Sequence, residues 1–200
     1  MAGPRGEYRK TAQRREQILD AAVAVFSKNG YTASSVNEIA RVVGITQTGV
    51  LHHFQGGKIA LLRAVLERRD EAAEGSLGGL HGRDFLRGLV EISRTQRDNR
   101  GIVQLYTILA AEATDPDHPV RPYFTARFAR IADAVTRAYE EVRAEGGLRE
   151  GVEPRRAAIA SLAAVEGTQL LWLDDLDADI VDDTVRVFDG FLSEPLLEKL

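Results

Sequence analysis

The residues best suited to chemistry lie between Ser35 and Phe54, in the run SVNEIARVVGITQTGVLHHF. Placed on a helix whose apolar residues face inward, Thr46, Gln47, Thr48, Gly49, His52 and His53 are left outward. They are uncharged hydrogen-bonding groups or, at Gly49, no side chain at all. Such a face suits the base edges and phosphates of a major groove, and a glutamine amide can pair bidentately with adenine. Gly49 costs a helix about 1 kcal/mol relative to alanine. Close approach to DNA, including a thymine methyl, is one reason to carry that cost; packing near another helix is the other.

Two further constellations invite a chemical reading. The run Asp174–Asp183, DDLDADIVDD, opens like a calcium loop. Counted from Asp175, its sixth position is Ile180 instead of glycine and its twelfth is Arg186 instead of a bidentate glutamate, so it fails as an EF-hand. An acidic turn favouring the positive N-terminus of a last helix is the plainer reading, and a metal-dependent helical hydrolase is the remote alternative. The four histidines, His52, His53, His81 and His118, contain no H-x-x-x-H pair, and Gly-x-Ser-x-Gly is absent. No catalytic residue, metal or cofactor is expected, and the chain is not expected to be an enzyme.

The outward face needs elements that hold it. A helix-turn-helix requires a small residue where its helices cross, and Ala40 supplies one. It requires a residue tolerant of positive φ in the turn, and Gly44 supplies that. Val36, Ile39, Val43, Ile45 and Val50 are apolar at the inward spacings. A first helix is predicted from about Thr11 to Lys28, ended by Asn29-Gly30. A second, Ser35 to Val43, has Ser34 or Ser35 as N-cap and Glu38 in capping-box position. A third runs from Thr46 to Phe54, and a fourth from Lys58 to Glu74 with Ile59, Leu62, Val65 and Leu66 on one face.

Beyond these, GSLGGLHG (75–82) reads as a flexible linker; it lacks the Gly-Lys-Ser/Thr of a phosphate loop. Five more helices are predicted: Asp84–Asn99, Ile102–Ala113, Pro119–Glu145, Pro154–Leu173 and Ile180–Leu192. The 200 residues, 44% hydrophobic and 28% charged, describe an ordinary globular protein. The fold class is all-α: an N-terminal three-helix helix-turn-helix domain plus a C-terminal helical ligand-binding and dimerisation domain, about nine helices in all. The domains divide as 1–57, including a basic arm at 1–10, and 58–200, with the fourth helix (58–74) as connector.

Charge supports that division. Residues 1–69 hold 11 Lys+Arg against 5 Asp+Glu, a balance of +6, and the remainder holds 15 against 25, a balance of −10. A basic head on an acidic body suits a protein whose head alone meets a polyanion. Arg5, Arg9, Lys10, Arg14 and Arg15 would add phosphate or minor-groove contacts, or form a solvating tail. Cysteine is absent, which excludes disulfides and thiolate metal sites and is compatible with a reducing cytoplasm. No apolar run approaches the roughly 20 residues of a membrane span, and the polar N-terminus carries no visible secretory signal. A cytoplasmic protein without a membrane partner is expected.

The stretch from about Arg15 to Leu66 resembles the N-terminal domain of the TetR family of bacterial transcriptional regulators. The likeness rests on Ile18-Leu19-Asp20-Ala21-Ala22, Phe26, Gly30-Tyr31, Ser35-Val36, Ile39-Ala40, Gly44-Ile45, His52-His53-Phe54 and Lys58. It implies a third helix in the major groove, with Thr46, Gln47, Thr48 and Gly49 at base-contacting positions. It implies His52 and His53 at the DNA backbone or bracing the helix, and Ser34 or Ser35 and Lys58 as phosphate clamps. Two features depart from the family pattern. Leu51 replaces a common tyrosine, and Gln55-Gly56-Gly57-Lys58 is one residue longer than the usual turn.

For the body the resemblance implies a homodimer on palindromic double-stranded operator DNA and an unknown small-molecule effector. The expected outcome is repression relieved by that ligand; an activator or a ligand-independent regulator of the same fold is the alternative. Gln104, Tyr106, Phe128, Glu166, Gln169 and Trp172 are polar or aromatic residues on otherwise apolar helices, candidates for orienting a ligand or for ordinary packing. Ala157, Ser161, Ala164 and Gly167, with Val185, Phe188, Phe191 and Leu192, are the expected dimer interface.

Overall fold

The computed structural model describes residues 4–197. Of the basic arm, residues 1–3 and the side chain of Arg5 lie outside the described residues. Nine helices occur among the described residues: α1 (Pro4–Ala33), α2 (Val36–Val43), α3 (Gln47–His53), α4 (Gly57–Leu77), α5 (Gly82–Arg97), α6 (Arg100–Glu112), α7 (Arg121–Ala144), α8 (Pro154–Leu173) and α9 (Asp182–Asp189). The chain divides into two compact units, Met1–Ala72 and Ala73–Leu200.

Helix ends differ from expectation in instructive places. α1 begins at Pro4 instead of Thr11 because nothing between Glu7 and Asn29 is glycine or proline. Gly30, at φ 71 and ψ 178, then breaks the helical path, since only glycine enters that region without strain. The expected linker 75–82 is shorter than predicted: α4 runs to Leu77 and only residues 78–81 connect it to α5. The cause lies in the neighbouring helix. A methyl group at Gly88 would stand 2.7 Å from Leu77 Cδ2 and 2.9 Å from Leu80 Cδ1, so both leucines seat over a glycine and anchor the segment. α9 stops at Asp189 instead of Leu192, because an isolated antiparallel bridge between Leu148 and Leu192 captures the following chain.

In the first unit the buried apolar residues are Ile18, Leu19, Ala22, Val25 and Phe26 of α1, Val36, Ile39 and Ala40 of α2, Val50 and Phe54 at α3, and Leu61, Leu62, Val65 and Leu66 of α4. Arg68 of α4 ties this bundle from outside, with its Nη1 2.8 Å from Glu16 Oε2 and 3.0 Å from Asp20 Oδ1 on α1. These carboxylates hold the Arg68 guanidinium above its ordinary value despite the opposing effect of burial, the largest single cause.

The second unit packs α5, α7, α8 and α9 around Leu86, Val90, Val135, Val142, Ala158, Ile180, Phe188 and Leu192. Caps come from the sequence: Glu153 accepts from the backbone N–H groups of Arg155 and Arg156 at 3.2 and 2.8 Å. Asp179 Oδ1 accepts from Val181 and Asp182 at 2.8 and 2.9 Å just before α9. Those backbone donors, Asp182 first, hold the Asp179 carboxyl below its ordinary value. The acidic run is thus used as a helix entry.

Tyr139 of α7 is fully buried, and its hydroxyl meets Ser161 Oγ at 2.8 Å. Burial pushes the phenol from its ordinary 10.0 up to about 12. The protonated phenol therefore supports folding below pH 10, and that support is lost as pH rises through 12. Tyr139→Phe should cost about 1 kcal/mol at neutral pH through the lost hydrogen bond. It should also make stability fall less steeply between pH 10 and 12, as read by denaturant unfolding at pH 8 and pH 11.

Candidate nucleic-acid interface

α3 has seven residues and depends on its surroundings for its shape. Its entry is set by Gly44, at φ 75 and ψ 34, in the left-handed region. The Ile45 N–H reaches back to the Ala40 carbonyl at 3.0 Å, closing α2 in the six-to-one pattern of a Schellman motif. Thr46 Oγ1 then accepts from the Gly49 N–H at 3.1 Å and caps α3. Val50 is fully buried and Phe54 nearly so, which fixes rotation about the helix axis. At the far end Arg15 of α1 lies 4.1 Å over the Phe54 ring and donates to the His53 carbonyl at 2.8 Å. A cation at a helix C-terminus is favourable there. Sequence reading placed Arg15 among free arm cations; its brace on α3 requires a residue 38 positions away.

With the apolar side chains turned in, Thr46, Gln47, Thr48 and His52 are exposed, and Gly49 and His53 are half-buried. The His52 and His53 rings meet edge to face, 5.5 Å between centroids. Burial first, then the charges of His52, Arg14 and Arg15, hold the His53 imidazole below its ordinary value. Leu51 is half-buried beside Gly57.

A methyl group added at Gly49 would find Thr46 Oγ1 at 3.4 Å and Ile45 Cδ1 at 3.6 Å. These are ordinary contacts within the turn, so tight helix packing does not account for the glycine.

Two residues expected as phosphate clamps are engaged within the head. Ser34 is buried, and its hydroxyl donates to the Gly30 carbonyl at 2.6 Å; it closes the end of α1 and does not face solvent. Lys58 Nζ donates to the carbonyls of Tyr31, Thr32 and Ser34 at 2.8, 3.2 and 2.9 Å and sits 4.3 Å over the Tyr31 ring. An ammonium has three hydrogens, and all three are directed at these carbonyls. Lys58 therefore clamps the start of α4 to the end of α1 and the link that follows it. Ser35 is exposed and caps α2, with its Oγ accepting from Glu38 N–H at 3.1 Å; its hydroxyl hydrogen remains available. Only half of the capping box forms, because the Glu38 carboxylate accepts from the Asn29 amide at 3.0 Å.

In the second unit, Tyr106 and Gln169 are buried, and Gln104, Phe128, Glu166 and Trp172 are half-buried. They are not gathered at one point. Gln169 donates to Gln96 at 3.2 Å. Trp172 lies under Arg100, 4.9 Å from its ring centroid, where Arg100 also meets Asp175 at 3.0 Å. Tyr106, Phe128 and Glu166 instead surround Arg127, a residue that sequence reading missed because an arginine on a long helix looks solvated. The residues expected at a dimer interface are divided: Ala157, Ser161, Phe188 and Leu192 belong to the subunit's own core, and Val185 and Phe191 pack against it. The outer side of α8 instead exposes Ile159, Leu170 and Leu171 at 43, 49 and 46%, with Gly167 also exposed and Ala164 half-buried.

Comparison with known proteins agrees with this geometry. Residues 18–65 match the family model described as bacterial regulatory proteins, tetR family. Over 178 residues the chain is 30% identical to the HTH-type transcriptional repressor Rv1474c of Mycobacterium tuberculosis, covering 78% of this chain and 93% of that protein. The chain belongs to the TetR family. Over 70 residues it is 40% identical to the HTH-type transcriptional regulator SrpR of Pseudomonas putida; that match spans 33% of this chain and only 32% of SrpR. In fold it is similar to SmeT, the repressor of the Stenotrophomonas maltophilia multidrug efflux pump SmeDEF, in its triclosan complex. There the TM-score is 0.77 at 23% identity, over 93% of this chain and 95% of that one.

Two expectations follow for the helix-turn-helix of this TetR-family chain. Lys58→Met should lower stability by about 2 kcal/mol and weaken DNA binding, while leaving the slope of log K against log salt unchanged; a phosphate clamp would flatten it by about one. Equilibrium unfolding and a salt titration read the two effects. Gly49→Ala should leave thermal stability equal or higher, by up to about 1 kcal/mol, and still weaken operator binding in a gel shift.

Proposed function

We propose that the chain is a homodimeric repressor that binds a palindromic operator through α3 and leaves it when a small molecule binds the body. The observation that carries this reading is the exposed face of α3, where Thr46, Gln47 and Thr48 stand outward while Val50 and Phe54 are locked inward. A short helix whose outer face is polar and uncharged, in a basic segment, suits base readout more than a plain solvated surface does. Gln47 reads a base, Gly49 admits close approach, Ser35 donates to a phosphate, and His52 and His53 stand at the backbone. Residues 1–57 form the DNA-binding head and 58–200 the sensing and dimerisation body, with α4 as connector.

The outer side of α8 supports dimerisation, since three large apolar side chains exposed on one helix favour a covered state. A methyl at Gly167 would touch nothing within 4 Å in the subunit, leaving room for a partner helix. Two heads related by a twofold axis require an operator with matching symmetry. Release requires a ligand that binds one body conformation better than the other. The triclosan complex of SmeT supports a ligand-responsive reading for a chain of the same fold. Among the described residues no helix is long and apolar enough to cross a membrane, and a cytoplasmic site of action suits the proposed task.

Footprinting on DNA flanking the chain's own gene should reveal a twofold-symmetric protected site. Gln47→Ala should relax sequence preference there by about 1–3 kcal/mol at one base pair of each half-site, with non-specific affinity nearly intact. Protection without symmetry, or unchanged preference in the variant, counts against the assignment.

A further inference from the structure

Tyr106 of α6 and Tyr123, Phe124 and Phe128 of α7 form a connected set of rings. Centroids are 5.9 Å apart for Tyr106–Phe124, 5.2 Å for Tyr123–Phe124 and 5.8 Å for Phe124–Phe128. The two tyrosine hydroxyls meet at 3.2 Å. The set is separate from the core that α5, α7, α8 and α9 share. Arg127 is embedded in it, only 7% exposed. Its guanidinium lies 5.0 Å from the Tyr106 ring centroid and 5.8 Å from that of Phe128. From α8, Glu166 faces it, with 3.7 Å between Nη1 and Oε1.

A guanidinium among rings is a costly filling for a helical seam, and a methionine or leucine at this position would close it with less desolvation. The members of the ion pair are also unequal. The Arg127 side chain is 8% exposed and that of Glu166 is 29% exposed. Glu166 can turn to water and stay solvated, whereas Arg127 is held among the rings. An anion is the group best suited to take the place of Glu166 on the guanidinium, and a carboxylate matches its fork. The rings of Tyr106 and Phe128 lie beside the guanidinium and favour a ligand with an apolar and preferably planar body.

We infer that Arg127 receives the carboxylate of a small apolar acid, which displaces Glu166 from the guanidinium. This rests on the reading of the chain as a ligand-responsive regulator and names the class of ligand. A cationic ligand would pair with Glu166 and leave Arg127 buried beside a second positive charge, the worse arrangement.

The test titrates the full-length protein by calorimetry with 1-naphthoate, decanoate, 1-naphthamide and 1-naphthylmethylamine, and assays each for operator release. The naphthoate should bind at least about tenfold tighter than its amide, and the amine more weakly still. Glu166→Gln should tighten naphthoate several-fold by removing the competing carboxylate; a merely structural ion pair predicts weaker binding, because the site would loosen. Arg127→Gln should lose the acid and Arg127→Lys should keep part of it, with circular dichroism monitoring the fold. If Arg127→Gln fails to fold, the lysine variant and Glu166→Gln decide.

No binding of either acid, equal binding of acid and amide, or weaker acid binding in Glu166→Gln overturns the assignment. Should the amine or the amide release the operator instead, the carboxylate assignment falls and the ligand-responsive reading stands. Should the acid bind with the Glu166→Gln signature and leave operator binding unchanged, the site stands and the release reading falls.

Discussion

The structure of the head depends on holding one very short helix in a defined rotation. Seven residues cannot sustain an α-helix in water, because nucleation costs more than so few hydrogen bonds return. α3 therefore borrows its order. Val50 and Phe54 sink into the bundle, Gly44 sets the angle at which the chain leaves α2, and Arg15 of α1 grips the final carbonyl. With those constraints in place, Gln47 and Thr48 project outward on a rigid base.

The clamps around α3 also redistribute roles among polar residues. Lys58 and Ser34 look, by type and position, like groups that would greet a phosphate. In the fold both serve the carbonyls left open where α1 breaks at Gly30. A helix end leaves unsatisfied acceptors, and the Lys58 ammonium on α4 serves three carbonyls there. The outward side chains of α3 are left to the surface, and Ser35 serves both sides, its oxygen capping α2 while its hydroxyl hydrogen faces out.

The second unit shows the same competition on a larger scale. α8 is apolar nearly all round, with Ala157, Ala158 and Ser161 buried in its own subunit and Ile159, Leu170 and Leu171 exposed. Ala157, Ala158 and Ser161 went inward, where α7 approaches closely enough for Tyr139 to reach Ser161, while Ala164 and Gly167 stayed on the outer side. The larger ones stayed outward. Sequence reading grouped Ala157 and Ser161 with Ala164 and Gly167; the fold divides them, because a small side chain permits close contact with whichever helix it faces.

Local signals settled the type and number of helices and the position of the helix-turn-helix. Gly44 is the only residue type that enters the left-handed turn freely, Ser35 and Thr46 are good caps, and the apolar spacing of Ile18 to Phe26 has a helical period. Each of these acts within one or two turns of chain, so it is visible in order along the sequence. Tertiary structure alone decided which polar groups are spent on packing: Arg15 on Phe54, Lys58 on the end of α1, and Arg127 among the rings of α6 and α7. Those pairings join residues far apart in the chain, and their sign depends on burial. A cation reads the same in sequence whether it faces phosphate, carbonyl or a ring; only the folded surroundings, which set its solvation and its partners, tell these apart.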